Sequence, residues 1–246
     1  MQGLLKLTWV ETKLYLREPG VYFGLALPVI LILVFGTLYG NTPNSFTGGH
    51  GPMDVYTPAY IAMMIASYSF FSLPITIINY RERGILFRLK ATPLRPQVIL
   101  ASHIGANFLM TTACSVIIVL LVRVFYDVHI TLSIFNVFVA YILGVISIFS
   151  FGFLLASLIP SVRIASILNS ILFGITLYLS GILLPLTIFP PTLRNFLQIL
   201  PLTHVVILLQ DLWLGGSWSD HWVNVLALLG ITIVCLFLST KLFRWR

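Results

Sequence analysis

Six long apolar runs, at about residues 21–40, 57–80, 97–122, 132–159, 164–186 and 221–240, alternate with short polar segments along the chain. Each run reaches the roughly 20 apolar residues that a helix rising about 1.5 Å per residue needs to cross about 30 Å of hydrocarbon. The pattern predicts an all-α membrane protein with six transmembrane helices in a single domain over residues 1–246. Ahead of the first run, Lys6, Lys13 and Arg17 fall on one helical stripe, with leucines and Trp9 over much of the rest. Residues 1–20 are therefore expected to form a helix lying along the inner membrane surface, ended by Pro19 and Gly20. Between the fifth and sixth runs, residues 187–220 form the expected external helical segment. Its apolar stretch from Leu202 to Leu214 is too short to span, comes after Pro190, Pro191 and Pro201, and ends at Gly215 and Gly216. A re-entrant or interfacial helix is predicted there. Trp213, Trp218 and Trp222 are expected near the headgroups.

Composition agrees: 59% of the 246 residues are hydrophobic, 9% are charged, and the mean hydropathy is +1.02. A net charge of +7 in a soluble chain would suggest nucleic acid, but here the placement of the charges matters more than their total. No nucleic-acid partner is expected. The segments assigned to the inside hold 12 of the 14 cations and the acids Glu11, Glu18 and Glu82, a net of +9. Those assigned to the outside hold Arg123 and Arg194 against Asp54, Asp127, Asp211 and Asp220, a net of −2. This asymmetry predicts a multi-pass protein of the cell membrane with both termini in the cytoplasm. Cys114 and Cys235 lie in separate apolar runs and read as small buried hydrophobes.

The densest polar feature is the segment RERGILFRLKATPLRP, residues 81–96, between the second and third runs. Ile85, Leu86 and Leu89 share one face of a short helix, Arg81 and Arg88 lie on another, and Lys90 and Arg95 add further charge. Pro93 and Pro96 stop it. One reading is a basic anchor at lipid headgroups. The other is a docking helix for a cytosolic partner, its apolar face filling a groove.

The chain lacks several kinds of chemistry. No proposed span carries an Asp, Glu, Lys or Arg in its middle, which counts against a proton-coupled carrier and an intramembrane acid–base enzyme. The five histidines show no metal-ligand spacing, and neither a metal site nor a catalytic residue is expected. His103 reads as a hydrogen-bonded packing residue. There is no phosphate-binding loop, so the chain by itself is not expected to bind or hydrolyse ATP. Tyr68, Ser72, Asn107, Asn169 and Tyr178 are the candidates to line a pathway, although hydrogen bonding between helices is their ordinary role. Gly152 with Ala156, and Ser166, Ser170 and Gly174, are spaced by four and permit close helix contact.

The basic N-terminal helix, the 81–96 segment and the stretch LSGILLPLTIFPPTLRNFLQILPLTHVVILLQDLWLGG together resemble the membrane permease subunits of type-2 ABC exporters. The likeness extends over nearly the whole chain. Arg81, Glu82, Arg83, Gly84, Arg88, Thr92 and Pro93 stand at that family's customary positions, and Pro185, Pro201, Leu202 and Thr203 match its second motif. His204 stands where the family more often has an aromatic residue. The resemblance implies that 81–96 is a coupling helix seated in a groove of an ATPase subunit, with Ile85, Leu86, Leu89 and Lys90 among the contacts. It also implies that Pro185 and Pro201–His204 form an external gate segment. Two separate ATPase subunits, which bind ATP and Mg, and a second permease copy or a sister permease are the implied partners, with membrane lipids around them. The implied cargo is a drug, an antibiotic or another amphipathic or lipid-like molecule, with polysaccharide or lipid-linked glycan as the alternative. A membrane-embedded lipid enzyme would need a polar catalytic cluster at one interface, for which His204, Gln210 and Asp211 are the best set. A passive channel would leave the basic segment as an anchor alone.

Overall fold

The computed structural model describes residues 2–17, 19–43, 49–85, 96–128, 134–183, 190 and 197–242. Its helices are α1 (Gln2–Tyr15), α2 (Pro19–Tyr39), α3 (Pro52–Ser67), α4 (Leu73–Glu82), α5 (Pro96–Tyr126), α6 (Ile134–Leu158), α7 (Val162–Leu179), α8 (Pro201–Trp213) and α9 (Trp222–Leu242). A π turn, Tyr68–Ser72, joins α3 to α4 into one continuous span. Among the described residues, five helices are long and apolar enough to cross a membrane, and α2 contributes a further apolar helix over Gly24–Tyr39. The chain is an all-α, multi-pass membrane protein.

Local chemistry sets the helix ends. Four helices open on proline, Pro19, Pro52, Pro96 and Pro201, at a position whose N–H would have no intrahelical partner. Gly51 offers α3 no capping side chain, so Asn41 substitutes: its Oδ1 accepts from the N–H groups of Met53 at 3.1 Å and Asp54 at 3.3 Å. The helix of the second span thus begins at Pro52, ahead of the apolar run expected from residue 57. Asp54, assigned to an outside loop by its polarity, is buried in the first helical turn, where its charge complements the helix dipole. The helix of the fifth span, α7, ends at Leu179, where the chain turns through Ser180 into Gly181 at φ +85°.

The span Pro52–Glu82 is the centre of the bundle: 78% of its apolar window is buried inside the protein, against 22% for Trp218–Leu242. Ala59, Ala62 and Ala66 with Met63 and Met64 make it apolar and compact on every side, as a fully surrounded helix requires. Lipid is as apolar as leucine, so close approach and hydrogen bonds, more than burial from water, hold such helices together. Two glycines of α6 permit that approach. A Cβ on Gly152 would run into the Ser69 carbonyl, and one on Gly144 would lie 2.8 Å from Val205 Cγ1 of α8. Ser166 and Ser170, by contrast, are exposed and bond back to their own helix, and Gly174 faces open space.

Gly152→Ala is expected to destabilise the fold by roughly 1–3 kcal/mol through overpacking, whereas Gly174→Ala leaves it unchanged. Unfolding midpoints in mild detergent compare the two. Equal midpoints would contradict the packing assigned to Gly152.

Candidate coupling site and the polar network behind it

Pro74, in the first turn of α4, has no N–H to offer the Phe70 carbonyl four residues back. The helix widens at the same place, where Leu73 N–H reaches five residues back to Tyr68 O. Neighbouring helices bond to the groups of this turn. Asn169 Nδ2 of α7 donates to Phe70 O at 2.6 Å, and Ser69 Oγ donates to Ile148 O of α6 at 2.5 Å. Tyr68 Oη lies 3.4 Å from Cys114 Sγ of α5, and Ser72 Oγ donates to Tyr15 Oη of α1 at 3.0 Å. One irregular turn therefore contacts four separate helices through polar groups.

Tyr15 is the second node. Its hydroxyl accepts from Asn107 Nδ2 at 2.7 Å and lies 2.9 Å from His103 Nε2, and its ring stacks on the imidazole with centroids 5.4 Å apart. One helical turn earlier, Glu11 accepts from Tyr80 Oη at 3.1 Å and lies 3.8 Å from His103 Nδ1. Burial would raise the Glu11 carboxyl, but hydrogen bonding and charge from His103, with the Tyr80 hydroxyl, outweigh it and hold the group below its ordinary value of 4.5. Thr8, Glu11, Thr12 and Tyr15 form the buried stripe of α1; Lys6, Lys13 and Arg17 point away from it, and Trp9, Val10 and Leu14 are also exposed. The helix meets the bundle through its polar face.

At the basic end of the bundle, the second span closes on the turn between α6 and α7. Pro160 has no N–H for the Ala156 carbonyl, and Arg81 Nη1 donates to that oxygen at 3.3 Å. Arg81 Nη2 donates to Ile159 O. Beside it, Glu82 Oε1 accepts from Val162 N–H at 3.0 Å, at the start of α7, and Ser161 Oγ accepts from Ile164 N–H. A cation thus meets the carbonyl end of α6 and an anion the amide end of α7, the favourable sense for both dipoles. Two residues later Gly84, at φ +64°, ends the helix.

At the opposite end, α8 is packed against α3, α6 and α9, with Leu202, Thr203, His204, Leu208 and Trp213 buried. Trp213, expected near the headgroups, is buried in the protein, while Trp222 is exposed. His204 Nδ1 lies 2.7 Å from Asn224 Oδ1, Asn224 Nδ2 lies 3.1 Å from His221 Nδ1, and His221 Nε2 lies 2.8 Å from Asp211 Oδ2. This relay fastens α8 to the base of α9, and Gln210 Nε2 fastens it to Val55 O of α3 at 3.2 Å. His204, Gln210 and Asp211 all serve these attachments.

Of the five pathway candidates, Tyr68, Ser72, Asn107 and Asn169 join helices within the chain, and Tyr178 is exposed. Arg81, Glu82, Arg83, Gly84 and Ile85 of the candidate coupling segment are described, and Arg83 is exposed. Leu86, Arg88, Leu89, Lys90, Thr92 and Pro93, with Pro185 of the external segment, lie outside the described residues. Pro201 opens α8, and Leu202 and Thr203 are buried. Sequence reasoning missed Tyr15, Glu11, Tyr80, Ser69 and Asn224. The spacing of Thr8, Glu11, Thr12 and Tyr15 was a usable signal, since three- and four-residue steps place them on one face.

A family model described as ABC-2 type transporter matches residues 2–214, from α1 through α8. No curated protein matches the chain.

Because the folded Glu11 value lies below the unfolded one, its stabilising contribution is complete above pH 4.5 and fades as pH falls through the folded value. Glu11→Gln is therefore expected to lower stability at pH 7 by on the order of 1 kcal/mol, after allowance for solvent screening. That gap should narrow below pH 4.5. Unfolding midpoints of both proteins across this range check it; a gap independent of pH would contradict the assignment.

Proposed function

The chain belongs to the ABC-2 type transporter family, and from that premise we propose that it is the permease subunit of an ATP-driven exporter, coupled to separate ATPase subunits through residues 81–96. Membership makes it a membrane permease of an ABC transporter and implies an ABC ATPase subunit as its partner. Two ATPase subunits bind ATP and Mg at the cytoplasmic face of a permease pair in the cell membrane. Both termini lie on that face, as the charge asymmetry along the chain supports.

The observation that carries the paired arrangement is the use of polar side chains inside the protomer. Tyr68, Ser72, Asn107 and Asn169 are engaged in joining helices. A route for cargo then runs between two permeases, along an outward face. The face of α7 that bears Ser166, Ser170, Gly174 and Tyr178 at steps of four is weakly polar and uncharged, and Tyr178 is 58% exposed. Such a lining suits an amphipathic or lipid-like cargo, such as a drug or antibiotic. ATP-driven closure of the ATPase pair moves the coupling segments, and the helices above transmit that motion to the route.

The test is to tag the C-terminus, extract the protein in mild detergent and identify what co-purifies by mass spectrometry. An ATPase with a phosphate loop is expected near one copy per permease, and Arg88→Glu is expected to remove it while the permease stays monodisperse. A permease that purifies alone with its fold intact would sink the proposal.

A further inference from the structure

We infer that Arg81 and Glu82 are positioning residues that carry motion of the coupling segment into the fourth and fifth spans, by clamping the turn between α6 and α7. This rests on the transporter reading above. Arg81 and Glu82 end the second span immediately before Gly84 turns the chain into the coupling segment, so a displacement of that segment reaches them first. They bond not to their own helix but to Ala156, Ile159 and Val162, residues 75 to 80 positions away in sequence. The atoms they hold are backbone atoms. A backbone attachment moves the helix end itself, whereas a contact between side chains can be absorbed by rotamer changes.

The same span grips the same two helices again at the π turn, α6 through Ser69 and α7 through Asn169. Two helices attached to a third at two heights cannot tilt independently of it without breaking one pair of bonds. The second, fourth and fifth spans therefore move as one body. The clamp also needs these residue types. The guanidinium fork reaches two carbonyls at once, which the single ammonium of a lysine does less well, and only an acceptor can serve the Val162 N–H. The turn itself comprises Ile159, Pro160 and Ser161, too short to move far from the helices it joins.

The permease–ATPase complex, reconstituted in lipid nanodiscs with a spin label at Arg163→Cys beside the turn, provides the test. Label-to-label distances between the two permeases are compared without nucleotide and after trapping with ATP and vanadate. A nucleotide-dependent shift is expected in the parent. It should fall by more than half in Arg81→Ala with Glu82→Ala, while the ATPase remains bound at the parent ratio. Arg81→Lys should give an intermediate shift, a grading that a purely structural role in folding would not produce. An undiminished shift in the double variant, or no shift in the parent, overturns the inference and leaves the transporter reading intact. Loss of the ATPase from Arg81→Lys overturns it differently, by making Arg81 a docking contact. A parent that binds no ATPase removes the transporter reading itself and, with it, this role.

Discussion

A backbone carbonyl that loses its helical partner inside a bilayer has no water to turn to, and each such group costs several kcal/mol if left alone. Proline creates such groups by withholding an N–H, and two of this chain's prolines stand four residues after carbonyls that other helices serve. Pro74 withholds an N–H from Phe70 O, and Pro160 withholds one from Ala156 O. In each case a polar side chain from another helix supplies the donor: Asn169 in the first, Arg81 in the second. A local defect in one helix thus becomes a bond between two.

This constraint accounts for the architecture around the second span. Four other helices meet the π turn at Tyr68–Ser72 through Tyr15, Cys114, Ile148 and Asn169, and its end meets the α6–α7 turn through Arg81 and Glu82. The span is also the most deeply enclosed. Helices that share bonds with it at two heights are constrained together, and α1 is bound to the same unit through Tyr15 and Glu11. The parts of the permease that would carry a mechanical signal are therefore held by hydrogen bonds of defined geometry, and not by apolar contact alone.

Much of this was legible in the sequence, and the remainder was hidden for identifiable reasons. The apolar runs announced the spans because their length and lack of charge leave few alternatives in a membrane protein. The Lys6, Lys13 and Arg17 stripe announced the outward face of α1. Its buried face was harder to see because it is polar: Thr8, Glu11, Thr12 and Tyr15 look like solvated residues until His103 and Asn107 stand opposite them. Residues 81–96 read as one basic unit, yet the structure divides it by turning Arg81 and Glu82 onto the protein's own backbone. That division depends on a turn 75 residues distant in sequence, which no local pattern reveals. Asp54 was assigned to a loop and lies in a helix for the same reason, since polarity reports what a residue tolerates, and packing decides where it goes.

The most direct test of this account is a double-mutant cycle between Asn169→Ala and Pro74→Ala, read as unfolding free energy in a membrane mimetic. If Asn169 stabilises the fold by serving the carbonyl that Pro74 leaves unpaired, an alanine N–H at position 74 should relieve the need for it. The cost of Asn169→Ala should then be smaller in the Pro74→Ala background by about 1–2 kcal/mol. An equal cost in both backgrounds would contradict the claim that the proline-freed carbonyl is what Asn169 is there to bond.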